Sequence, residues 1–320
     1  MNRYKSYDNI ETGSNGIIPI LVKGIQENVA TNGQPYQSIT ASDMNGNIKK
    51  LSLFKNLFKE IKPPFIIEAN VRADLYMGSK IFLIMSYNKE TSFKISDFKP
   101  KSEVNPTKVW NEIIKMINTI KDEGLCRFIC RVLVNNKKAF QEKPFDSIVF
   151  NRINGLMEAT YRLMKLADGV AGTIPYLDRD LMLAAASVYY IGQVNSTDEE
   201  FNPTMQDVLL GAGVLSLKEI IKADISFQES PEGKDINKDK IILLEHIVMA
   251  RYKGQYASIP ESIALQNLDA LLQETEEVHD VTKEIADNGY VDRYYARRNK
   301  IFKTPTANSK PEENNNNGKS

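Results

Sequence analysis

The chain predicts an α+β protein of two units, a small five-stranded β-barrel in front and an all-α unit behind. Two observations carry that expectation. Residues 14–100 place Val, Ile and Phe at alternating positions, broken by Asn-Gly and Met-Gly pairs, which is the pattern of half-buried strands joined by tight turns. From Asn105 onward the apolar spacing changes to 3.6 residues, the period of an amphipathic helix. A chain of 320 residues has room for two domains of ordinary size.

Ile17 to Ile25 reads as a first strand, followed by the turn Thr31-Asn32-Gly33. Tyr36 to Ser42 alternates as a second strand, Asn45-Gly46 signals a hairpin, and Ile48 to Phe54 forms the third strand. Leu53 to Ile61 is apolar at helical spacing and predicts a short helix closed by Pro63-Pro64. Phe65 to Leu75 and Lys80 to Tyr87 make a second hairpin around Met77-Gly78. Three strands, a short helix and two strands is the order of an OB-fold barrel. The domain is drawn at 14–100.

Connecting helices follow at 105–140. One apolar stripe runs through Val109, Ile113, Met116, Ile117 and Ile120, another through Leu125, Phe128, Ile129, Val132 and Leu133. Helical patterns continue at 147–168, 178–192, 204–225, 236–253 and 260–286, giving a helical domain over 141–302. The tail 303–320 lacks large apolar residues and is expected to be disordered.

The formal charge is zero, but it is unevenly spread. Residues 1–165 hold 25 Lys and Arg against 16 Asp and Glu, and the remainder reverses the ratio. A basic front unit favours anionic partners. No run of 18 apolar residues is present, and the opening MNRYKSYDNIETGSNG has no apolar core, so neither a membrane span nor a signal peptide is expected. Cys126 and Cys130, four apart on a predicted helix, read as small packing residues of a reducing cytoplasm. The setting expected is the cytoplasm of a bacterium or a phage-infected host.

The second strand and its flanks, in VKGIQENVATNGQPYQSITASDMNGNIKKLSLF, resemble the OB-fold opening of the YhaM-type 3′–5′ exoribonucleases. In that family such a domain precedes an HD-type phosphohydrolase domain. The resemblance continues in order through NGLMEATYRLMKLAD, LDRDLMLAAASVYYIGQV, VLLGAGVL, ILLEHIVMARYKG and ALQNLDALL, covering roughly 17–275. It implies a helical HD-like domain whose metals would be held by His and Asp. At those positions this chain has Ala159 for the first His, Tyr189-Tyr190 for the His-Asp pair, Ala212 for the Gly-His position, Arg251 and Tyr252 for paired His, and Gln266 for the closing Asp. His246 and Asp269 match flanking positions.

With only two histidines, His246 and His279, a hydrolytic di-metal centre of that type is hard to assemble. A carboxylate-only magnesium site from Asp168, Asp178, Asp180 or Asp207 is the alternative, although acids near helix ends ordinarily cap or stay solvated. The expectation is therefore a helical domain that is no longer an enzyme, without metal or cofactor.

Binding chemistry then falls to the barrel. OB barrels hold single strands by stacking bases on exposed aromatics beside a basic groove. Tyr36, Lys49, Arg72, Tyr76 and Lys80 are the candidates; Phe54, Phe82, Tyr87 and Lys50 are weaker ones because strand ends and core positions compete for them. Two further basic sets are Arg127, Arg131, Lys137, Lys138 and Lys143 at the junction, and Arg152, Arg162 and Lys165 beside the former metal positions. Tyr290, Arg293, Tyr294, Tyr295, Arg297, Arg298 and Lys300 mix rings and cations near the end of the chain. The function expected is binding of single-stranded RNA or DNA without catalysis. The alternatives are a protein–protein adaptor with partners in replication, transcription or RNA turnover, or a phosphohydrolase with an altered metal site. Self-association is left open.

Overall fold

The computed structural model describes residues 4–305 except 31, 60, 77, 146–147, 199–200, 234–235, 252–256, 284, 286 and 292–299. Five strands, β1 (Asn15–Val29), β2 (Pro35–Ser42), β3 (Ile48–Leu53), β4 (Phe65–Tyr76) and β5 (Ser79–Asn88), close into a barrel in the order β1-β2-β3-β5-β4. All pairs are antiparallel except β3 with β5, which run parallel with Leu51 opposite Phe82. The barrel is OB-like. β1 changes partner along its length: Asn15 to Val22 pair with β4, and Leu21 to Val29 pair with β2.

Alternation decides which side chains enter the barrel. Ile18, Ile20, Val22, Ile39, Leu51, Leu53, Ile67, Val71, Phe82 and Ile84 form its core, each such aliphatic side chain contributing about 1.5–3 kcal/mol on burial. Tyr7, in a short 3-10 helix ahead of β1, plugs one end. Its ring lies 5.3 Å from that of Phe82, its hydroxyl donates to the Ala41 carbonyl at 3.3 Å, and its N–H donates to Asp43 Oδ2 at 3.1 Å.

The helix expected over 53–61 does not form. Leu53 ends β3, and Asn56 has φ +53. Gln37 Nε2 donates to the Phe58 carbonyl at 2.9 Å while the Phe58 N–H donates to Gln37 Oε1 at 2.8 Å. A buried side-chain amide thus takes both backbone groups that a helix would have used, and Phe58 enters the barrel core.

Behind the barrel come α1 (Pro106–Ile117), α2 (Glu123–Asn135), α3 (Lys137–Glu142), α4 (Gly155–Thr173), α5 (Arg179–Val188), α6 (Met205–Gln228), α7 (Lys238–Met249) and α8 (Pro260–Thr282). Two short strands, β6 (Tyr290–Val291) and β7 (Ile301–Phe302), pair beside α8. Asn105, Asp122, Asp178, Thr204 and Asn237 accept hydrogen bonds from first-turn N–H groups of α1, α2, α5, α6 and α7, the cap chemistry that fixes where helices begin.

The pattern read as helical from 147 starts its helix eight residues later. Phe150 and Asn154 both have positive φ, and a side chain on Gly155 would meet the Phe150 carbonyl at 2.0 Å; the segment is a tight turn until α4 begins. Helices α1 and α2 share one continuous core with the helices behind them. Among the described residues no helix is long and apolar enough to cross a membrane.

Candidate nucleic-acid interface

The outer face of β2 and β3 is set by register. Ser38 lies opposite Ser52 and Thr40 opposite Lys50, with Gln37, Ile39, Leu51 and Leu53 turned inward. At the end of this row the rings of Tyr36 and Phe54 stack, centroids 5.0 Å apart with planes 22° from parallel. Phe54, one residue past the strand, is 37% exposed. The pair therefore offers an aromatic surface to solvent beside hydroxyls and the exposed Lys50 and Lys55.

The five residues singled out for the barrel do not form one patch. Tyr36 belongs to the stacked pair. Because β3 and β5 are parallel, Lys49 and Lys80 lie at the opposite end, near the start of both strands, and Tyr76 sits there too, opposite Ser79 at the hairpin tip. Tyr76 is 61% exposed. Lys80 leans over the Phe82 ring at 5.5 Å. Arg72 is paired with Asp74 Oδ1 at 3.0 Å, a carboxylate with which a phosphate would compete. Lys50, on the outer row of β2 and β3, and Phe54 share that face with Tyr36.

In the helical unit, Tyr189 and Tyr190 are both fully buried, their rings 5.5 Å apart. The Tyr190 hydroxyl donates to Asp269 Oδ1 at 2.5 Å, and Gln273 donates to the same oxygen. Arg251 lies with its guanidinium 4.7 Å from the Tyr190 ring centre, 5.6 Å from that of Tyr189, and 3.5 Å from Asp269 Oδ2. Burial first, and the Asp269 charge second, push both phenols above their ordinary range; they stay neutral. Gln266 donates to the Ala250 carbonyl, and Ala159 is buried on α4. Ala212 sits beyond a break in α6, where Gly211 has φ +76, and its carbonyl lies against Gly192. Tyr252 falls outside the described residues.

Two neutral phenols, a carboxamide and a guanidinium thus gather around one carboxylate, Asp269, which accepts from Tyr190 and Gln273 and faces Arg251. Asp269 is the member that sequence reading placed only at a flank; its partner stands 79 residues away. His246, also at a flank, accepts the Ser258 N–H at 3.0 Å. Among the described residues no group of three or more His, Cys, Asp or Glu is arranged to hold a metal.

The other candidates are mostly engaged in structure. Asp178 caps α5 and pairs with Lys240; Asp180 accepts the N–H groups of Lys121 and Asp122; Asp168 pairs with Arg179; Asp207 opens the first turn of α6. Arg152 and Arg162 are paired with carboxylates. Both bridge Glu158 and Glu276, at 2.5–3.1 Å, and Ser102 closes the set on Glu158. Lys165 lies by the Tyr161 ring. In the junction set, Arg127 pairs with Glu123, Arg131 and Lys137 lie over Phe227 and Trp110, and Lys143 holds the carbonyls of Thr197 and Asp198; Lys138 is exposed. Cys126 and Cys130 are free thiols, the latter pushed up to about 11 by burial and by its neighbour Cys126. Of the terminal cluster, Tyr290 and Lys300 face each other at 4.4 Å; Arg293, Tyr294, Tyr295, Arg297 and Arg298 lie outside the described residues.

The chain is similar to proteins called 3′–5′ exoribonuclease YhaM: to that of Bacillus subtilis (strain 168), 22% identical over 302 residues, covering 90% of this chain and 94% of the relative, and to that of Geobacillus sp. (strain WCH70), 23% identical over 319 residues, covering 93% and 94%. No family model and no solved structure matches. The resemblance read from the sequence is borne out. The expectation that the chain is not an enzyme is corrected, because the relatives are enzymes by name.

Proposed function

We propose, from the premise that this chain is YhaM-like, that it holds single-stranded nucleic acid along the outer β2–β3 face of its barrel, with RNA, the substrate in its relatives' name, as the strand. The Tyr36–Phe54 stack carries this reading. Every base has a π face, so a ring platform accepts strands without regard to sequence, each stacked base contributing about 1–3 kcal/mol. Thr40, Ser38 and Ser52 line the row with hydroxyls, and Lys50 supplies a cation for phosphate. The basic front half of the chain favours the same partner through its wider field, and the cytoplasm is the setting that fits.

Anisotropy of a labelled single-stranded RNA at low salt tests the reading. Tyr36→Ala should weaken binding by about 1–3 kcal/mol; no binding by the intact chain to RNA or DNA overturns it. Incubation of 5′-labelled RNA with the protein and Mn²⁺ or Mg²⁺ then measures whether the strand is shortened from its 3′ end.

An adaptor reading rests on one observation, the exposure of Met205, Val208 and Leu209, each at least 70% accessible, on the first turns of α6. Apolar side chains grouped this way mark contact surfaces. Nucleic-acid affinity that hardly changes with salt would favour it.

A further inference from the structure

We propose that a second strand-contact site lies in the cleft between barrel and helical unit, taking one nucleotide with its base on Phe201 and its phosphate among Lys5, Lys99 and Lys101. The proposal rests on the nucleic-acid reading above and adds a site to it. The cleft has a volume of about 570 Å³ and is walled by Tyr4, Lys5, Met44, Asn45, Lys101 and Phe201, among others. That is within the range of about 300–1,000 Å³ usual for small-ligand sites. Met44 and Asn45 belong to the β2–β3 turn, so the cleft opens at the barrel end that carries Lys49.

Phe201 is built into this position at a cost. Its φ is +65, a left-handed conformation that a bulky residue adopts only when its surroundings impose it, and such residues concentrate at functional sites. The turn that holds it is closed by the Asp198 and Asn202 backbone pair at 2.9 Å and by Asn202 N–H on Asp198 Oδ1 at 2.9 Å. Lys143 fastens the same turn from the helical side through the carbonyls of Thr197 and Asp198, both at 2.7 Å. The ammonium groups of Lys99 and Lys143 lie 5.8 Å and 5.4 Å from its ring centre.

Lys5, Lys23, Lys99 and Lys101 have no carboxylate partner among the described residues. Lys23 sits at a bulge in β1 between Val22 and Gly24; partial burial, then the Lys99 charge, lower its affinity for a proton, and burial does the same to Lys99. An anion near such ammonium groups can accept charge-assisted hydrogen bonds from them. Two carboxylates also reach the cleft: Asp97, whose oxygen accepts the Lys94 N–H at 2.8 Å, and the exposed Glu142. A planar group over Phe201 with a phosphate toward the lysines satisfies both features, and a nucleotide has both parts.

The test uses the full chain, a fluorescent single-stranded RNA longer than one OB footprint of about 16 nucleotides, and adenosine 5′-monophosphate as competitor. Phe201→Ala should weaken RNA binding about 5- to 150-fold, one base stack, while Phe201→Trp retains it. Lys101→Ala, at an exposed position, should flatten the salt slope by about one unit and keeps the test open if Phe201→Ala lowers the melting temperature. RNA binding that Tyr36→Ala weakens but Phe201→Ala and Lys101→Ala leave unchanged overturns the cleft and spares the barrel face. Competition by the mononucleotide that Phe201→Ala removes assigns the site to free nucleotides; loss of RNA affinity without such competition assigns it to the strand.

Discussion

Tyr189 and Tyr190 are consecutive and equally buried, yet among the described residues only the hydroxyl of Tyr190 has a partner. The Tyr189 hydroxyl is buried without one. An unsatisfied buried hydroxyl costs its desolvation, and removing it costs nothing further. Tyr189→Phe should therefore leave the melting temperature unchanged or raise it. Tyr190→Phe strips Asp269 of a 2.5 Å hydrogen bond and should destabilise by about 1–3 kcal/mol. Truncation of Tyr190 to Ala should cost about 3–5 kcal/mol. Equal losses from the two Phe variants in thermal unfolding would contradict this assignment. That Tyr189 and Tyr190 follow an apolar helical run was legible in the sequence. That Asp269 and Arg251 complete their cluster was not, because no local spacing relates residues 79 positions apart.

Among the elements, α4 and α8 are clamped by four side chains. Glu158 and Glu276, 3% and 6% exposed, each meet both Arg152 and Arg162. Burial by itself would raise the Glu158 carboxyl, but hydrogen bonds from Arg152 and Ser102 and the two guanidinium charges hold it below 4.5. A depressed folded value means stability that is present above 4.5 and is lost as pH falls through the folded value. Unfolding followed against pH should show a steep loss below that point in the intact chain, and a shallower one in Glu158→Gln. At neutral pH Glu158→Gln should cost about 1–3 kcal/mol, since it leaves the mostly buried Arg152 guanidinium short of a charged partner. Helices α4 and α8 were legible from their period, their clamp was not, and the absent helix at 53–61 has the same cause: Gln37, from another strand, decides what Phe58 does.

Across the whole molecule the division of charge gives the broadest prediction. If the basic front half carries the strand, log affinity should fall linearly with log salt, each phosphate contact contributing a slope of about 0.7 for a single strand. Lys50→Ala combined with Lys101→Ala should lower that slope by close to two contacts, measured by RNA titration at several salt concentrations; an unchanged slope would remove both lysines from the binding path. The order of barrel then helices was readable because period 2 and period 3.6 occupy separate stretches of chain. The surfaces where the units meet were unreadable, since Lys5, Met44, Lys101 and Phe201 converge only after folding.

The change of partner along β1 has a consequence in time. Its second half meets β2 almost at once, across a short turn, but its first half must wait for β4: Asn15 pairs with Arg72. At a ribosomal rate of about 5–20 residues per second, the apolar edge from Ile17 to Val22 stands open for about 3 to 11 seconds before its neighbour exists. Loop closure over that span is the slow step expected of barrel folding. Until then the emerging chain carries an unfilled strand edge, available to any other extended segment nearby.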